Sequence, residues 1–410
     1  MKIKKTNPLY WGKLDNISSI KFKNLDKLMK VKENFLSNSV APFVGRFGYP
    51  NVNLGILTPP ETRGDADILD DQLKWSRNKL DITQIVDHRS QLLNSRDKVM
   101  VNDKQNINKD INLSSHQKKL IQLAQEITLS KKTVDTEIFL KNKPNIKINT
   151  DPLLPPFAAN ANIKDANLTT NPRIPTKVEK FVDDDFKASD AIIKLSRQFD
   201  EHYLSKILSV GTLGYRRQRK LVPTRWSITA TDDTIGKFHI EEIKKYRSIE
   251  NYEFYFGNYL GNYYAILLIP DFWSYELFEI YAGEMEGKGE FMTDYENVRG
   301  RKDYASNTVG GYYACRLAIT ERLFERKRQA SVFVLRFITD EYTTPLGVWV
   351  CREASRESIK SNPIRFSSQD LLFNFVKEKM QNKFGISIDK YIQMSKLLEF
   401  KNKQKKLWEF

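Results

Sequence analysis

Apolar residues recur at helical spacing in several parts of the chain. The clearest case follows Ser114 or Ser115, since either side chain can cap a helix and the apolar positions continue from Leu120 to Ile127. Gly310 precedes a second apolar-periodic run. Helices are predicted within residues 65–95, 115–127, 188–208, 312–327, 368–383 and 388–400.

Aromatic and β-branched runs predict strands elsewhere. The chain becomes strand-like from Trp226 to Tyr281, with its runs separated by Gly257, Gly261 and Pro270. The glycine- and proline-rich apolar residues 41–55 predict short strands joined by tight turns. The predicted strands are Tyr252–Phe256, Tyr263–Ile269, Leu277–Tyr281, Val332–Ile338 and Gly347–Cys351.

Two stretches lack such patterns. Residues 94–112 are rich in Asn, Asp and Lys, which predicts a loop. Residues 141–178 contain six prolines, and we expect an extended segment that wraps the surface or joins two lobes. The mixture of helices and mostly antiparallel strands predicts the α+β class, in two packed units with a flexible C-terminal tail.

Composition favours a folded protein in a reducing compartment. The 410 residues are 40% hydrophobic and 29% charged, and no apolar run approaches the roughly 20 residues that span a bilayer. We therefore expect a cytoplasmic protein associated with the nucleoid. Cys315 and Cys351 lie among apolar residues, which predicts buried thiols. With four scattered histidines, the sequence predicts no metal site of the zinc type and no cofactor.

The net charge of +15 favours a polyanionic partner. Between Gly211 and Trp226, arginine is concentrated near two aromatic residues, a combination that suits phosphates and exposed bases. A smaller basic patch follows near the end of the helix predicted over 312–327. The alternative is a solvated surface with ordinary ion pairs. The predicted nucleic-acid contacts are Arg216, Arg217, Arg219, Lys220, Arg225, Trp226, Arg326 and Arg328.

The last seven residues match a peptide pattern that binds sliding clamps. Gln404, Leu407 and Phe410 follow the required spacing, with Trp408 between the last two. In a 3₁₀ turn, residues three apart lie above one another, so Leu407 and Phe410 would form one apolar plug. A frayed helix end is the alternative. The pattern recurs in Gln369–Phe375, where helical spacing predicts core residues instead.

Carboxylates offer an enzymatic alternative. Asp232 and Asp233 are predicted to follow a strand, and acidic residues at strand ends can bind Mg²⁺ for phosphodiester cleavage. The same pair is equally good turn chemistry. No phosphate-binding loop, nucleophile elbow or dinucleotide fingerprint accompanies them, so no catalytic residue is assigned. The other candidates are Asp271, Glu276, Glu321 and Glu353.

Several sequence blocks together resemble the archaeal Nre family of DNA repair proteins. They are Phe43–Pro50, Lys220–Ala230, Leu268–Ser274, Gly310–Ala318 and Pro345–Val350. The resemblance extends from about residue 40 to the end. It implies a basic N-terminal segment (1–35), an Nre N-terminal-type domain (36–295), an Nre C-terminal-type domain (296–400) and a clamp-binding tail (401–410).

The resemblance also implies a role in the repair of DNA damage and docking on the sliding clamp, PCNA. Gln404, Leu407 and Phe410 fall on the three defining positions of the family's docking motif. Many members carry an N-terminal cysteine-rich segment like a zinc finger. This sequence has no cysteine before Cys315, and we expect no zinc-dependent role.

Three functions are thus open at this point. The first is a repair factor that binds the clamp through its C-terminus and DNA through its arginines. The second is a metal-dependent nuclease or another DNA-processing enzyme that uses Asp232, Asp233 or Glu276. The third is a basic RNA-binding protein without a clamp partner.

Overall fold

The strands of this chain form two mixed sheets in a computed structural model. The structure describes residues 25–101, 113–151, 153–284 and 287–403. They divide into two compact units, the first extending to Ile235 and the second beginning at Gly236. Both units contain helices and strands, which confirms the α+β class. Across the described residues, no helix is both long enough and apolar enough to cross a membrane.

The first unit is built on a seven-stranded sheet. Its strands are β1 (Asn34–Ser39), β2 (Ala41–Val44), β3 (Asn51–Thr58), β4 (Leu93–Met100), β5 (Val134–Leu140), β6 (Asn145–Asp151) and β7 (Leu154–Leu168). The order is β1-β5-β7-β4-β3-β2, and β6 also pairs with β7. The β4–β7 pair is parallel, and the other pairs of this sheet are antiparallel. Strand β5 alternates buried and half-buried residues, as expected of a strand with one face on the core.

Helices surround this sheet. They are α1 (Leu25–Met29), α2 (Gln72–Arg77), α3 (Ile82–Ser90), α4 (Ser115–Leu129), α5 (Thr176–Asp183), α6 (Ala188–Leu195) and α7 (Glu201–Ser209). Helix α4 was predicted correctly. The Ser114 side chain accepts a hydrogen bond from the backbone of Gln117, whose side chain accepts one from the Ser114 backbone, forming a capping box. Apolar residues between Leu120 and Ile127 are buried, as their spacing predicts.

Two predictions for the first unit were wrong. Residues 94–100, expected to lie in a polar loop, belong to strand β4. Their backbone pairs with β3, and the buried Asn94 side chain donates to the Asn160 side-chain oxygen (3.1 Å). The proline-rich stretch contributes β6 and β7 to the sheet. Pro155 and Pro156 lie at the start of β7, before the residues that pair with β4 and β5. Proline has no backbone N–H to donate, and at these positions the pairing with β4 and β5 does not require one.

The second unit contains a six-stranded sheet. Its strands are β8 (Tyr252–Tyr259), β9 (Asn262–Ile269), β10 (Ser274–Tyr281), β11 (Phe291–Glu296), β12 (Ser331–Ile338) and β13 (Ile364–Phe366). They lie in the order β11-β10-β12-β9-β8-β13, with β10 and β12 parallel. The strands predicted at 252–256, 263–269, 277–281 and 332–338 are confirmed.

Helices cover both faces of the second sheet, so every residue of β12 is buried. They are α9 (Val309–Arg326), α10 (Trp349–Lys360), α11 (Gln369–Phe384), α12 (Asp389–Met394) and α13 (Lys396–Lys403). Phe333, Leu335 and Phe337 share a core with α11 to α13. Arg336 points to the opposite face, where Gly311 of α9 lies close to its guanidinium.

Three predictions near the second unit need correction. Residues from Trp226 onwards were expected to be a strand, but Thr224–Ile243 is helix α8, which contains the boundary between the units. Trp349 begins helix α10 instead of lying in a strand. The last predicted helix is divided at Ser395, because Glu276 accepts hydrogen bonds from the Ser395 hydroxyl and from the backbone N–H groups that begin α13.

Candidate nucleic-acid interface

The loop between β2 and β3 presents an arginine and an aromatic ring between two glycines. Gly45 donates its N–H to the carbonyl of Asn53 (2.8 Å), and Asn51 donates to the carbonyl of Gly48 (2.8 Å). Gly48 has φ +82°, and a Cβ atom there would lie 2.8 Å from the Asn51 carbonyl oxygen. The turn therefore requires glycine at this position. It leaves Arg46 and Phe47 at the tip.

The first turn of α8 lies against this loop. The backbone N–H of Val44 donates to the hydroxyl of Thr224 (2.9 Å). The rings of Tyr49 and Trp226 are 5.4 Å apart and tilted by 54°. These contacts bring residues 46–49 and 224–226 together in the first unit, although about 180 positions separate them in the sequence.

Two guanidinium groups share one carboxylate at this place. Nη1 of Arg225 donates to both carboxylate oxygens of Asp151 (3.1 and 3.0 Å). Nε of Arg46 is 3.6 Å from Asp151 Oδ2 and has no hydrogen-bond partner among the described residues. Burial and the adjacent charge of Arg225 lower the pKa of Arg46 from its ordinary value. The three groups together carry one net positive charge.

Aromatic rings belong to the same loop and helix turn as the two arginines. Phe47 is 75% exposed and Trp226 is 45% exposed. The Arg46 guanidinium lies over the Phe47 ring, 4.6 Å from its centroid. We call the set Arg46, Phe47, Tyr49, Arg225 and Trp226 the arginine–aromatic surface. Its composition suits nucleic acid, since guanidinium groups bind phosphates and exposed rings can stack on bases.

The predicted arginine cluster of residues 216–220 has a different character. Arg219 donates to the backbone carbonyls of Gly214, Val182 and Asp184 (2.8, 2.7 and 3.0 Å). Arg216 donates to the Asp183 carbonyl. The guanidinium groups of both residues therefore fasten the 3₁₀ turn at 216–218 to the end of α5. Arg217 and Lys220 are exposed on the same stretch.

The smaller predicted patch lies in the second unit. Arg326 forms a bidentate ion pair with Glu253 (2.6 and 2.7 Å) and also donates to the Tyr255 hydroxyl (2.8 Å). Glu253 is buried, so a phosphate that recruited Arg326 would take the bidentate partner away from a buried carboxylate. Arg328 is half-buried and donates to the Lys327 carbonyl (3.1 Å).

The carboxylates of the enzymatic alternative form no metal-binding group among the described residues. Asp232 and Asp233 lie in helix α8, where consecutive side chains point in directions about 100° apart. Glu276 caps α13, while Glu321 and Glu353 both bind Arg356. Within the ranges that the structure describes, no group of three His, Cys, Asp or Glu residues is arranged to hold a metal ion.

A separate cluster of charges, not identified from the sequence, lines a cavity of about 280 Å³ in the first unit. Asp70 is buried there against Arg89, with His202 Nε2 at 3.1 Å and Lys206 Nζ at 3.4 Å. Burial alone would raise the pKa of Asp70, but the charges of Arg89, His202 and Lys206 outweigh it and hold that pKa well below its ordinary value. The i, i+4 spacing of His202 and Lys206 was the available signal.

The sequence predicted two of the five residues of the arginine–aromatic surface. Arg225 and Trp226 were predicted as nucleic-acid contacts, whereas Arg46, Phe47 and Tyr49 lay in the strands and turns predicted over residues 41–55 and were given no binding role. An arginine and an aromatic residue between Gly45 and Gly48 were a signal for an exposed loop tip. The predicted clamp-binding residues Gln404, Leu407, Trp408 and Phe410 lie outside the described residues.

Comparisons with known proteins place the chain among named relatives. The family model "Archaeal Nre, N-terminal" matches residues 17–285, and "Archaeal Nre, C-terminal" matches residues 296–410. The chain is 34% identical to the DNA repair protein NreA of Haloferax volcanii, over 80% of this chain and 79% of that protein. It is 36% identical to NreA of Archaeoglobus fulgidus, covering 83% and 84% of the two chains.

A third relative matches over a greater length. The DNA repair protein NreB of Archaeoglobus fulgidus is 33% identical, and the alignment covers 93% of each chain. No solved structure matches this chain. The geometry of the arginine–aromatic surface therefore has to be interpreted from its own contacts.

Proposed function

Because this chain belongs to the archaeal Nre family, we propose that it is a DNA repair protein that binds DNA through the arginine–aromatic surface and docks on the sliding clamp, PCNA, through residues 404–410. The repair role is supported by the names of three relatives, each called a DNA repair protein. These relatives cover most of the chain, so the proposal concerns the whole protein.

The DNA-binding part rests on one observation, the sharing of Asp151 by two arginines. Arg225 satisfies the carboxylate with two hydrogen bonds, and Arg46 contributes a second positive charge beside it. Nε of Arg46 is within the fold but without a hydrogen-bond acceptor among the described residues. Nε itself is buried, but the Arg46 side chain is 38% exposed, so a phosphate oxygen can bind the outer part of the guanidinium and neutralise the excess charge.

Arg46→Met tests this part. Asp151 would keep Arg225 as its partner, so the substitution removes one charge without leaving a carboxylate unpaired. We expect weaker DNA binding and a salt dependence that is shallower by roughly one unit of log Kd against log salt, the value for one lost phosphate contact. The measurement is fluorescence anisotropy over a series of salt concentrations.

Arg197→Met is the matched control. Arg197 is an exposed arginine between α6 and α7 of the same unit, so its loss changes the net charge equally. We expect its salt dependence to equal that of the unaltered chain. Equal slopes for all three proteins would contradict the assignment of this surface.

The clamp-binding part rests on the sequence of residues 404–410. The glutamine, leucine and phenylalanine have the spacing at which a 3₁₀ turn aligns apolar side chains into one plug. Lys401, Lys403, Lys405 and Lys406 add positive charge that suits an acidic rim or nearby phosphates.

The clamp-binding part is tested by titrating the full chain and a chain ending at Lys403 against the cognate clamp. Leu407→Ala/Phe410→Ala should lower affinity at least as strongly as a central hot-spot truncation, roughly 30-fold or more. Leu371→Ala is the control, because Leu371 is exposed on α11 within the second copy of the pattern. Equal affinity of the full and shortened chains would remove the clamp from the proposal and leave the DNA contact standing.

A further inference from the structure

The arginine–aromatic surface exposes more ring area than a phosphate contact needs. Phe47 is 75% exposed at the tip of a loop, and Trp226 is 45% exposed in the first turn of α8. A single exposed ring is common on protein surfaces, but two rings presented by one loop and the helix turn packed on it form an apolar patch of the kind that marks an interaction site. Phe47 lies against the Arg46 guanidinium, and Trp226 packs on Tyr49 of the same loop. The nearby arginines specify the charge of the partner.

Charge complementarity selects an anionic partner with flat apolar faces. A protein partner that matched the rings would have to bring its own carboxylates to the two arginines. A nucleic acid carries both features in each nucleotide, since the base offers a π-face and the phosphate offers an anion. The N-terminal end of the 20-residue helix α8 adds a partial positive charge at the same place.

Duplex DNA cannot use the rings. Its bases are stacked on one another and show only their edges in the grooves, whereas its phosphates remain accessible. Unpaired bases show their faces and can stack on phenylalanine or tryptophan. The exposed rings therefore favour single-stranded DNA, or the splayed strands of a damaged or forked site, over an intact duplex.

We infer that the arginine–aromatic surface binds unpaired DNA, with bases stacked on Phe47 and Trp226 and phosphates bound by Arg46 and Arg225. This inference rests on the proposed DNA contact and deepens it by naming the class of substrate. Tyr49 is half-buried and packs against Trp226, which holds the Trp226 ring in place. Binding of a base therefore costs less side-chain entropy than it would with a mobile ring.

The test compares three DNA probes of equal length, each with a fluorescent end. They are a single strand, the matching duplex, and a single strand in which abasic sites replace the central bases. The abasic strand keeps its phosphates and loses its stacking faces. We expect the single strand to bind tighter than the abasic strand and the duplex.

Phe47→Leu and Trp226→Leu remove a ring and keep an apolar side chain. Each should weaken single-strand binding about 5- to 100-fold, the range for one stacked base, and change abasic-strand and duplex binding less than twofold. Phe47→Tyr and Trp226→Phe keep a ring and should restore most of the single-strand affinity. The control is Phe272→Leu, which removes a 65% exposed ring from the second unit and should change nothing.

The outcomes distinguish the proposed DNA contact from the inference that bases stack on Phe47 and Trp226. If the unaltered chain binds none of the probes, the proposed DNA contact itself is wrong. If the chain binds DNA but the leucine variants lose affinity equally for all three probes, or for none, the DNA contact stands and base stacking is overturned. Equal melting temperatures of the variants and the unaltered chain establish that any loss arises at the surface.

Discussion

Two sets of arginines, one in each unit, pair with carboxylates in opposite ways. In the second unit, Arg336 and Glu279 are fully buried on the parallel strands β12 and β10, and Arg316 pairs with the equally buried Glu296 (2.8 Å). In the first unit, Arg46 and Arg225 share Asp151 near solvent. Each buried arginine has its own carboxylate, whereas the surface pair has one positive charge in excess.

This difference teaches where a basic protein can bind a polyanion. The net charge of +15 says only that arginines and lysines exceed carboxylates over the whole chain. A guanidinium that is paired with a buried carboxylate cannot bind a phosphate unless that carboxylate is left unpaired, which costs a large free energy. The charge available to bind a polyanion is the positive charge that remains after arginines and carboxylates have paired. Arg46 and Arg225, which share one carboxylate, have such a remaining charge.

The largest expected effect comes from breaking a buried pair. Glu279→Gln leaves the Arg336 charge in the core without a carboxylate, beside neutral acceptors such as the Asn262 side-chain oxygen. We expect the free energy of unfolding to fall by about 3–5 kcal/mol. Urea unfolding of the second unit, followed by tryptophan fluorescence, measures it.

The same unfolding measurement on Arg46→Met provides the comparison, because this substitution removes an arginine from the arginine–aromatic surface. Its unfolding free energy should stay within about 0.5–1 kcal/mol of the unaltered chain. If the two substitutions cost the same, the distinction between paired core arginines and surplus surface arginines does not hold.

A second, smaller effect is expected at the Arg326–Glu253 pair. Burial works to raise the pKa of Glu253, but hydrogen bonds from Arg326 and Tyr255 outweigh it and hold that pKa below its ordinary value. A carboxyl with a lowered folded pKa stabilises the fold above its unfolded pKa, and this contribution is lost as the pH falls through the folded value. Arg326→Met should therefore destabilise by about 2 kcal/mol at neutral pH and by less in acid.

DNA binding separates this pair from the surface arginines. Because the Arg326 guanidinium is committed to Glu253, Arg326→Met should change DNA affinity less than twofold at equal folded fraction. Anisotropy titrations at neutral pH, beside Arg46→Met, provide the readout. A clear loss of DNA affinity in the folded Arg326→Met variant would show instead that Arg326 contacts DNA.

Acid should weaken the stabilising contribution of the charge cluster around Asp70 in the same way. The folded pKa of Asp70 is held well below its ordinary value, so its contribution is complete at neutral pH and declines as the pH falls below about 4 towards the folded value. Asp70→Asn should remove this part of the acid dependence. The difference in unfolding free energy between the two proteins should therefore narrow from pH 7 to pH 3.

The sequence predicted elements well where local signals agreed with packing. Strands β8 to β10 follow aromatic runs broken by glycine, and α4 follows a capping box. Helix α8 was missed because Ile228, Thr229 and Thr231 favour strands. The helix forms nevertheless, and threonine hydroxyls donate to carbonyls one turn earlier, as Thr234 does to Ala230 (2.7 Å).

The site was predicted only in part for a different reason. Spacing along the chain reveals contacts within one helix or turn, but the arginine–aromatic surface joins a loop at residue 46 to a helix start at residue 225. The role of Asp151 was equally hidden, because it lies in a stretch expected to be irregular. Which arginines are paired depends on the folded arrangement, and Arg219 and Arg225 look alike in sequence.

The smallest expected effect is the most specific test of the surplus-charge argument. Asp151→Asn removes the shared carboxylate and releases both guanidinium groups towards a phosphate. DNA affinity should rise about two- to fivefold at moderate salt, and the salt dependence should steepen by up to roughly one unit, because one more charge can be neutralised by DNA. Most substitutions at a binding surface weaken binding, so a gain is diagnostic.

Asp65→Asn is the matched control for this gain. Asp65 is an exposed carboxylate of the same unit that forms a one-to-one ion pair with Arg63. Its neutralisation changes the net charge equally, so a gain caused by overall charge would appear in both variants. A gain confined to Asp151→Asn locates the DNA phosphates beside Arg46 and Arg225, whereas equal gains, or a loss at Asp151, would show that the shared carboxylate serves only to hold the two arginines in the fold.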